Sequence, residues 1–298
     1  MADGGEGDGN CPGIVHRTVL TRFAPAPTGW LHLGHVLNAE YVWSAGAEVI
    51  LRIEDHDRQR CRPKYEAGIL EDLEWLGYRP DFPLVRQSAR DAIYREAVAI
   101  LGSQRLVYGC DCTRKQIEER TAPVERRTSI ASPPGARFNP QTPELVYDGY
   151  CRERGLTLTE HLGWRVRMMP GVETFDDRLL GAQAQDPSRQ CGDVLIRDRL
   201  GNWTYQFVAS ADDFRQGIDL VIRGEDLLAS TGRQIRLARL LGRAQPATFM
   251  HHRLLMKSPD QKLSKSDGDT GVRDLRARGW TPAQVKAAAR LSFHRSGE

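Results

Sequence analysis

Blocks of apolar and polar residues along the chain predict strands that alternate with helices. Val19–Phe23 is a short run of β-forming residues, and Leu33–Trp43 carries apolar residues at helical spacing. Glu48–Ile53 follows as a buried strand, so strand, helix and strand form a βαβ unit within roughly 40 residues. The right-handed crossover of such a unit gives a parallel sheet, which binds ligands beyond the carboxyl ends of its strands.

The same pattern continues after this unit, is interrupted, and resumes. Residues 64–76 and 88–102 have helical periodicity, and residues 105–108 offer another strand. Residues 114–143 are rich in Arg, Glu, Pro and Ser, which predicts a long surface loop inserted into the sheet. Beyond it we predict strands at Trp164–Met168, Val194–Ile196 and Leu220–Arg223 and a helix over 229–241.

Five segments follow from these patterns. Residues 1–13 are acidic and glycine-rich with almost nothing apolar, so a mobile tail is expected. The others are the first half of a Rossmann-like catalytic domain (14–108), an inserted subdomain that contains the long loop (109–190), the second half of the catalytic domain (191–245) and a C-terminal segment (246–298). The last segment holds a short strand pair, a polar loop over Lys257–Asp269 and two short helical patterns.

Composition and charge exclude some function classes and leave others open. The chain has 298 residues and no apolar run long enough for a membrane span, and it begins without the basic and apolar pattern of a secretory signal. A cytoplasmic protein is therefore expected, and nothing demands a dimer, so a monomer is expected. The net charge of +3 neither indicates nor excludes nucleic-acid binding. No phosphate-binding loop motif and no dinucleotide glycine fingerprint is present.

The first turn between strand and helix contains His32, Gly34 and His35. Free backbone N–H groups and the helix dipole at such a turn favour a phosphate, and two imidazoles add hydrogen bonds. Gly34 has no side chain, so a flat ring can lie against the backbone there. The alternative is that the two histidines only cap or pack the helix, and this turn alone favours that alternative.

A second basic element, Lys262-Leu263-Ser264-Lys265-Ser266, shifts the balance towards phosphate chemistry. Two ammonium groups three residues apart, in a loop rich in Gly, Asp and Ser, can follow the phosphates of ATP as charge develops on them. Together the two elements predict catalytic roles for His32, Gly34, His35, Lys262 and Lys265, and ATP binding by His32, His35 and Lys265.

The two elements, in this order, resemble the two signatures of the class I aminoacyl-tRNA synthetases. The resemblance narrows to the glutamyl branch through Arg22-Phe23-Ala24-Pro25-Ala26-Pro27-Thr28-Gly29, Arg52-Ile53-Glu54-Asp55 and Val221-Ile222-Arg223-Gly224-Glu225-Asp226. It implies an α/β fold with a Rossmann-like parallel sheet, an inserted zinc-binding subdomain of the acceptor type and a short C-terminal α/β segment. It also implies that glutamate is activated with ATP and Mg²⁺.

Glutamate carries two carboxylates and one ammonium group, so a specific pocket needs two cations and one anion. Arg22, Arg223 and Glu54 supply that set at predicted strand ends. By resemblance, Arg22 holds the side-chain carboxylate with help from Tyr205, Glu54 takes the α-ammonium group and Arg223 steadies the α-carboxylate. The resemblance also includes the segment Phe23, Ala24, Pro25 and Ala26 in the glutamate site. For Arg52, Asp55, Asp57 and Arg58 we expect surface ion pairs instead.

A further group of residues, Cys110, Cys112, Tyr147 and Cys151, predicts a metal site. The spacing of Tyr147 and Cys151 places both on one face if the segment is helical, and three thiolates with a phenolate can enclose Zn²⁺. The pattern resembles the zinc site of the glutamyl-Q tRNA(Asp) synthetases, although 34 residues here separate Cys112 from Tyr147 and the linker of that family is much shorter. The alternative is that the four residues merely pack beneath the insertion.

The acceptor of the glutamate follows from the same resemblance. Glutamyl-tRNA synthetases carry a large C-terminal anticodon-binding domain, and here the chain ends 32 residues after Ser266. The expected partners are therefore ATP, L-glutamate and tRNA(Asp) with queuosine at the wobble position. A compact synthetase that charges tRNA(Glu) and a non-catalytic tRNA-binding relative stay open as alternatives, and the insertion stays open as a contact for protein or for a phosphate backbone.

Overall fold

The computed structural model describes residues 18–121, 145–258, 261–262 and 271–294. The strands are β1 (Leu20–Phe23), β2 (Glu48–Ile53), β3 (Val85–Arg86), β4 (Val107–Cys110), β5 (Gly163–Val166), β6 (Glu173–Asp177), β7 (Gly181–Gln185), β8 (Val194–Arg197), β9 (Leu220–Gly224), β10 (Thr248–His252), β11 (Met256–Ser258) and β12 (Gln261–Lys262). The helices are α1 (Leu33–Trp43), α2 (Pro63–Leu76), α3 (Asp91–Ser103), α4 (Arg114–Thr121), α5 (Pro187–Gln190), α6 (Tyr205–Arg215), α7 (Thr231–Leu240), α8 (Val272–Ala277) and α9 (Pro282–His294). Among the described helices, none has the length and apolar character needed to cross a membrane.

The main sheet has seven strands in the order β3-β2-β1-β9-β10-β6-β7. All neighbouring pairs are parallel except the hairpin of β6 and β7, which is antiparallel. The chain leaves β1 towards β2 on one side, and β9 pairs with β1 on the other side. The order of the strands therefore reverses between β1 and β9, and a crevice opens outside the carboxyl ends of strands at such a reversal.

Both faces of this sheet are buried, as the continuous apolar runs of its strands require. On β2, Val49, Leu51 and Ile53 pack in the cluster that includes α1 and α2. Ile50, the residue between them, belongs to another cluster with Val221 and residues of α7 and β10. Because side chains alternate along a strand, one short segment thus joins two helical layers.

A smaller antiparallel sheet, in the order β4-β5-β8, lies outside this arrangement. β8 falls within the range predicted as the second half of the catalytic domain (191–245), yet it pairs with β5 in the small sheet. The hairpin of β6 and β7 falls within the predicted insertion (109–190), yet it extends the main sheet through β10. The chain therefore passes between the two sheets more often than one insertion implies.

Several local predictions differ from the structure. The loop predicted over 114–143 begins with helix α4, and residues 122–144 lie outside the described part. In α4, Arg114 pairs with Glu118 one turn later, which supports a helix in this highly charged sequence. Residues 145–151 are not helical, so the helical premise used for Tyr147 and Cys151 is wrong. The predicted tail at 1–13 also lies outside the described residues.

The C-terminal helices return to the start of the sheet. The backbone N–H of Val272 donates to the carbonyl of Leu31 at 2.9 Å, and Gly271 forms an isolated bridge with His32. Helix α9 packs on α1, where Arg290 donates to Glu40 at 2.5 Å. These contacts hold the segment that follows the lysine motif against the first strand-to-helix turn.

Asp72 on α2 is a buried carboxylate that has no hydrogen-bond partner among the described residues. Burial raises its pKa to about 6, and the nearby Arg273 only partly offsets this rise. Because the folded-state pKa lies above the unfolded value, the ionised group destabilises the fold above about pH 6, and the penalty disappears as the pH falls towards 4. We expect Asp72→Asn to raise the free energy of unfolding by on the order of 1–2 kcal/mol at pH 8.

Urea unfolding at pH 8 and pH 5 measures this effect, and the gain should shrink at the lower pH. The matched control is Glu71→Gln, because Glu71 is half exposed and forms ion pairs with Arg273 and Arg276. This variant should lose stability slightly or not change. An Asp72→Asn protein that is no more stable than the parent at pH 8 would contradict the prediction.

Candidate active site

The turn before α1 is shaped by its two histidines. His32 is the residue that caps the helix, and its Nδ1 accepts the backbone N–H of Gly34 at 3.1 Å. His35 completes the cap, since its Nδ1 accepts the N–H of His32 at 3.2 Å. The two histidines therefore cap the helix, as the alternative interpretation expected. In each ring the cap uses Nδ1 as the acceptor, so a neutral ring carries its proton on Nε2. A Cβ atom on Gly34 would lie 2.9 Å from the His32 ring. Any larger residue at position 34 would therefore displace this ring.

The lysine motif lies only partly within the described structure. Lys262 pairs with Met256 through the backbone of the β11–β12 hairpin, and Lys265 lies outside the described residues. Gly271, the first described residue after the motif, forms a bridge with His32.

The three charged residues predicted for glutamate lie at the carboxyl ends of adjacent strands. Arg22 is near the end of β1, Glu54 directly follows β2, and Arg223 is near the end of β9. Each is at most 6% exposed. Arg22 also reaches across to β9, where its Nη1 donates to the carbonyl of Ile222 at 3.2 Å. The structure therefore brings the three residues to one side of the sheet, at the crevice between β1 and β9.

Tyr205, the first residue of α6, lies among these charges. Its pKa is raised, first by burial and then by the charge of Glu54, while Arg223 and Arg22 oppose the rise. The phenol is thus close enough to all three predicted glutamate ligands to respond to their charges. It stays protonated and can donate a hydrogen bond at neutral pH.

Asp213 and Arg52 are two members of this group that the sequence analysis missed. Asp213 lies between two guanidinium groups, with Oδ1 at 3.2 Å from Nε of Arg22 and at 2.7 Å from Nη1 of Arg52. Burial acts to raise the pKa of Asp213, but Arg22 and Arg52 outweigh it and lower the pKa, so the carboxylate stays ionised. Two consecutive acidic residues in the apolar sequence of α6 were the available signal, because buried carboxylates need cationic partners.

The prediction of a surface ion pair for Arg52 is wrong. Its side chain has no exposed surface, and its Nη2 donates to Glu54 at 3.3 Å. Burial raises the pKa of Glu54, and Arg52 partly offsets that rise. Asp57 agrees with the expectation of an ion pair, since it pairs with Arg60, whose side chain is 76% exposed while its own is 23% exposed.

The segment from Phe23 to Ala26 connects β1 to the histidine turn. The Phe23 ring is buried against Trp43, at 5.3 Å between ring centroids, so it belongs to the core. The carbonyl of Pro25 accepts the backbone N–H of Glu54 at 3.0 Å. Ala24 and Ala26 are half-buried. The segment thus holds Glu54 in place through its backbone.

The four predicted metal ligands come together next to the small sheet. The sulfur atoms of Cys110, Cys112 and Cys151 lie within 4.8 Å of one another, and those of Cys112 and Cys151 are 3.5 Å apart. Oη of Tyr147 lies 3.4 Å from Sγ of Cys110 and accepts the backbone N–H of Cys151 at 2.9 Å. The long linker and the lack of a helix therefore do not prevent the grouping that the spacing predicted.

Comparisons with known proteins agree with this geometry. Residues 18–296 match the family described as tRNA synthetases class I (E and Q), catalytic domain. A glutamyl-Q tRNA(Asp) synthetase of Rhodobacter capsulatus is 36% identical over 285 residues, which are 90% of this chain and 98% of that protein. A protein of the same name from Burkholderia cenocepacia is 39% identical over 93% of this chain and 89% of its own length. This chain belongs to the glutamyl-Q tRNA(Asp) synthetase family.

A solved structure provides a second line of comparison. The glutamate tRNA ligase from Elizabethkingia meningosepticum, crystallised in complex with its amino acid, is 29% identical with a TM-score of 0.66. The match covers 85% of this chain and 53% of that ligase, so this chain spans about half of its length. This chain is therefore a ligase of the aminoacyl-tRNA synthetase type. Its relatives and the solved structure support an activity like that of a glutamate-tRNA ligase. The class uses ATP with Mg²⁺.

The cysteine cluster has the size and chemistry that a zinc ion requires. Tetrahedral zinc with Zn–S distances near 2.3 Å places its sulfur ligands about 3.8 Å apart, which is close to the separations in the cluster. Three arginines each donate to one sulfur: Nε of Arg165 to Cys110 at 3.3 Å, and terminal nitrogens of Arg120 and Arg154 to Cys112 and Cys151, both at 3.4 Å. These cations offset the negative charge of three thiolates. The donor set therefore fits a structural zinc site.

Proposed function

We propose that this protein activates L-glutamate with ATP and transfers it to the queuosine base at the wobble position of tRNA(Asp). The observation that carries the activation step is the convergence of Arg22, Glu54 and Arg223 around the Tyr205 phenol. Two buried cations, one buried anion and a neutral donor are the groups that an acidic amino acid requires. A neutral amino acid has one carboxylate, so it would give only one of the two guanidinium groups a carboxylate of the substrate.

Each residue of this set has one role in the proposal. Arg22 pairs with the side-chain carboxylate of glutamate, and Tyr205 donates to the same carboxylate. Glu54 accepts the α-ammonium group, and Arg223 steadies the α-carboxylate. Asp213 and Arg52 touch no substrate and hold Arg22 and Glu54 in position through their hydrogen bonds.

In the first step, an oxygen of the glutamate α-carboxylate attacks the α-phosphorus of ATP. The bond from that phosphorus to the bridging oxygen breaks, which gives glutamyl-adenylate and pyrophosphate. Mg²⁺ enters bound to ATP as part of the substrate. Positioning and charge stabilisation supply the rate enhancement, so no protein nucleophile is required. His32, His35 and Lys265 stabilise the transition state and the leaving pyrophosphate, with Lys262 and the helix N-terminus at Gly34 assisting.

In the second step, a hydroxyl of the queuosine ring attacks the carbonyl carbon of the adenylate. The bond from that carbon to the phosphate oxygen breaks, AMP leaves, and the hydroxyl proton passes to solvent. The product is an ester of glutamate on the modified base. The relatives named glutamyl-Q tRNA(Asp) synthetase support this acceptor, and a tRNA acceptor implies a cytoplasmic reaction.

We also propose that the cluster of Cys110, Cys112, Tyr147 and Cys151 holds one structural Zn²⁺ per chain. The ion would cross-link β4 to the segment 147–151, which the long insertion separates in sequence. In this role the zinc takes no part in catalysis. Its function is to keep the small sheet folded beside the catalytic crevice.

Labelled glutamate tests the acceptor directly. The purified protein with ATP is offered tRNA(Asp) that carries queuosine, the same tRNA with guanine at the wobble position, and tRNA(Glu). We expect label only in the first sample, and nucleoside digestion should place it on the modified base. Equal labelling of both tRNA(Asp) samples would contradict the queuosine assignment.

Two other outcomes would identify the competing functions. Labelling of the terminal adenosine of tRNA(Glu) would make the protein a compact glutamyl-tRNA synthetase, which the likeness to a glutamate tRNA ligase favours as the second candidate. Absence of glutamate-dependent exchange of pyrophosphate into ATP would indicate a relative that binds tRNA without catalysis.

A further inference from the structure

A buried row of polar side chains crosses three neighbouring strands behind the glutamate pocket. Asp177 ends β6, His251 lies on β10, and Arg223 lies on β9, so the row runs along the order of the sheet. Nδ1 of His251 is 2.5 Å from Oδ2 of Asp177, and its Nε2 is 3.0 Å from Nε of Arg223. All three residues are at most 4% exposed. The proposed reaction as described above uses only the last of them.

The contacts of Asp177 determine which nitrogen of His251 carries the proton. Oδ2 of Asp177 also accepts the backbone N–H of His251 at 3.1 Å, and Oδ1 accepts the N–H groups of Leu179 and Leu180. An ionised carboxylate can only accept, so Nδ1 of the ring is the protonated nitrogen and Nε2 is the acceptor. Burial lowers the pKa of His251 despite the neighbouring carboxylate, which agrees with a neutral ring.

This arrangement fixes the rotation of the Arg223 guanidinium. Its Nε–H donates to Nε2 of His251, Nη1 donates to Gln234 at 2.5 Å, and Nη2 donates to Thr231 at 2.8 Å. A guanidinium meets a carboxylate in two parallel bonds, either through Nε with one terminal nitrogen or through both terminal nitrogens. Because His251 occupies Nε, only the edge formed by both terminal nitrogens can meet a carboxylate.

We propose that His251, oriented by Asp177, is a positioning residue that fixes Arg223 for the α-carboxylate of glutamate. The inference rests on the proposed function, since it needs Arg223 to bind that carboxylate. His251 touches no substrate in this assignment. Its contribution is preorganisation: without the acceptor at Nε2, the Arg223 side chain must be ordered by the ligand itself, which weakens binding.

The hairpin of β6 and β7 supports the residues that surround Arg223. β6 supplies Asp177, and Gln185 at the end of β7 accepts the backbone N–H of Gly232 and donates to the carbonyl of Leu228, both at 2.8 Å. The hairpin therefore contacts the segment that carries Thr231 and Gln234, which accept hydrogen bonds from Arg223. An element at the edge of the sheet thus supports the interior of the pocket.

Two substitutions of similar size separate positioning from packing. In His251→Gln, the amide reaches the place of Nε2 and still offers an acceptor to Arg223. In His251→Asn, the shorter side chain places its amide near Nδ1, which keeps the contact with Asp177 and loses the one with Arg223. Isothermal titration of each variant with L-glutamate measures the dissociation constant without catalysis, and thermal unfolding checks that each variant is folded.

We expect His251→Asn to raise the dissociation constant for glutamate and the KM for glutamate at least about 10-fold, and His251→Gln to raise both by no more than about 3-fold. The KM for ATP should stay within about 2-fold in both variants. A purely structural role predicts instead that both variants lose stability and that their glutamate affinities change equally. Equal affinities in the two variants would overturn the proposal.

His252→Asn provides the matched control. This neighbouring histidine is 3% exposed, but it lies on the other face of β10, where its ring stacks on Tyr41 and its Nε2 contacts Asn38. The same exchange there should leave the affinity for glutamate within about 2-fold of the parent. Failure of the proposed function is distinguishable, because the parent protein itself would then show no glutamate binding or glutamate-dependent exchange.

Discussion

Replacing Arg22 with leucine is expected to lower the kcat/KM for glutamate activation by about 10²- to 10³-fold. The substitution removes the cation proposed for the side-chain carboxylate of the substrate and leaves Asp213, which lies 3.2 Å from Nε of Arg22, with one guanidinium partner instead of two. Truncating one partner of a buried, hydrogen-bonded charge pair costs about 2–5 kcal/mol, which corresponds to a loss of this size. Glutamate-dependent exchange of labelled pyrophosphate into ATP measures the effect.

Arg22→Lys should recover only a small part of the lost activity, because an ammonium group cannot donate to Asp213, the Ile222 carbonyl and a carboxylate with the geometry of a planar fork. Arg95→Leu is the control, since Arg95 is exposed on α3 and forms an ion pair with Asp91 one turn earlier. It should change the exchange rate by less than about 2-fold. An Arg22→Leu protein that keeps the parent's KM for glutamate would remove Arg22 from the pocket.

Replacing Cys110 with serine is expected to abolish zinc retention and to lower the midpoint of thermal unfolding by about 10 °C. Sγ of Cys110 contacts Tyr147 and the buried Arg165 and lies within 4.8 Å of the other two sulfur atoms of the cluster. A serine hydroxyl does not ionise at neutral pH and cannot replace a thiolate ligand. Metal analysis after extensive dialysis and a thermal melt give the two readouts.

Cys191→Ser is the matched control for the cluster. Cys191 is equally a buried thiol, but its sulfur donates to the carbonyl of Pro187 and is not part of the cluster. This variant should retain one zinc per chain. A chelator should lower the melting midpoint of the parent and of Cys191→Ser, and it should leave Cys110→Ser unchanged. A parent protein that purifies without zinc and melts identically with chelator would contradict the metal assignment.

The helices and strands with a strong local pattern were predicted correctly from the sequence. β1, α1 and β2 form where the periodicity placed them, with bounds that agree to within one residue. The helix over 229–241 appears as α7 after a short 3-10 turn at Glu225–Ser230. Such elements are specified by local propensity and by a face that must be buried, and both can be read within a window of a few turns.

The hairpin of β6 and β7 was not predicted, because its pattern is weak on its own. β7 reads Gly-Ala-Gln-Ala-Gln, with exposed residues at most positions, and it becomes a strand by pairing with β6 at the edge of the main sheet. The role of Arg52 was misjudged for a related reason. A charged residue inside a buried strand resembles a surface position until its partners, Asp213 and Glu54, arrive from elsewhere in the fold.

The sequence was enough to predict the βαβ start of the sheet. It was also enough to single out the two motifs proposed for phosphate, the set of Arg22, Glu54 and Arg223 proposed for glutamate, and the four residues of the cysteine cluster. These features consist of residue types whose chemistry is visible without coordinates. The fold was needed to show that Asp213 and Arg52 bond to Arg22 and Glu54, and that His251 connects Asp177 to Arg223. The physical reason is that buried charges are stabilised by partners distant in sequence, such as Arg22 and Asp213, and only the folded chain brings those partners within hydrogen-bonding distance.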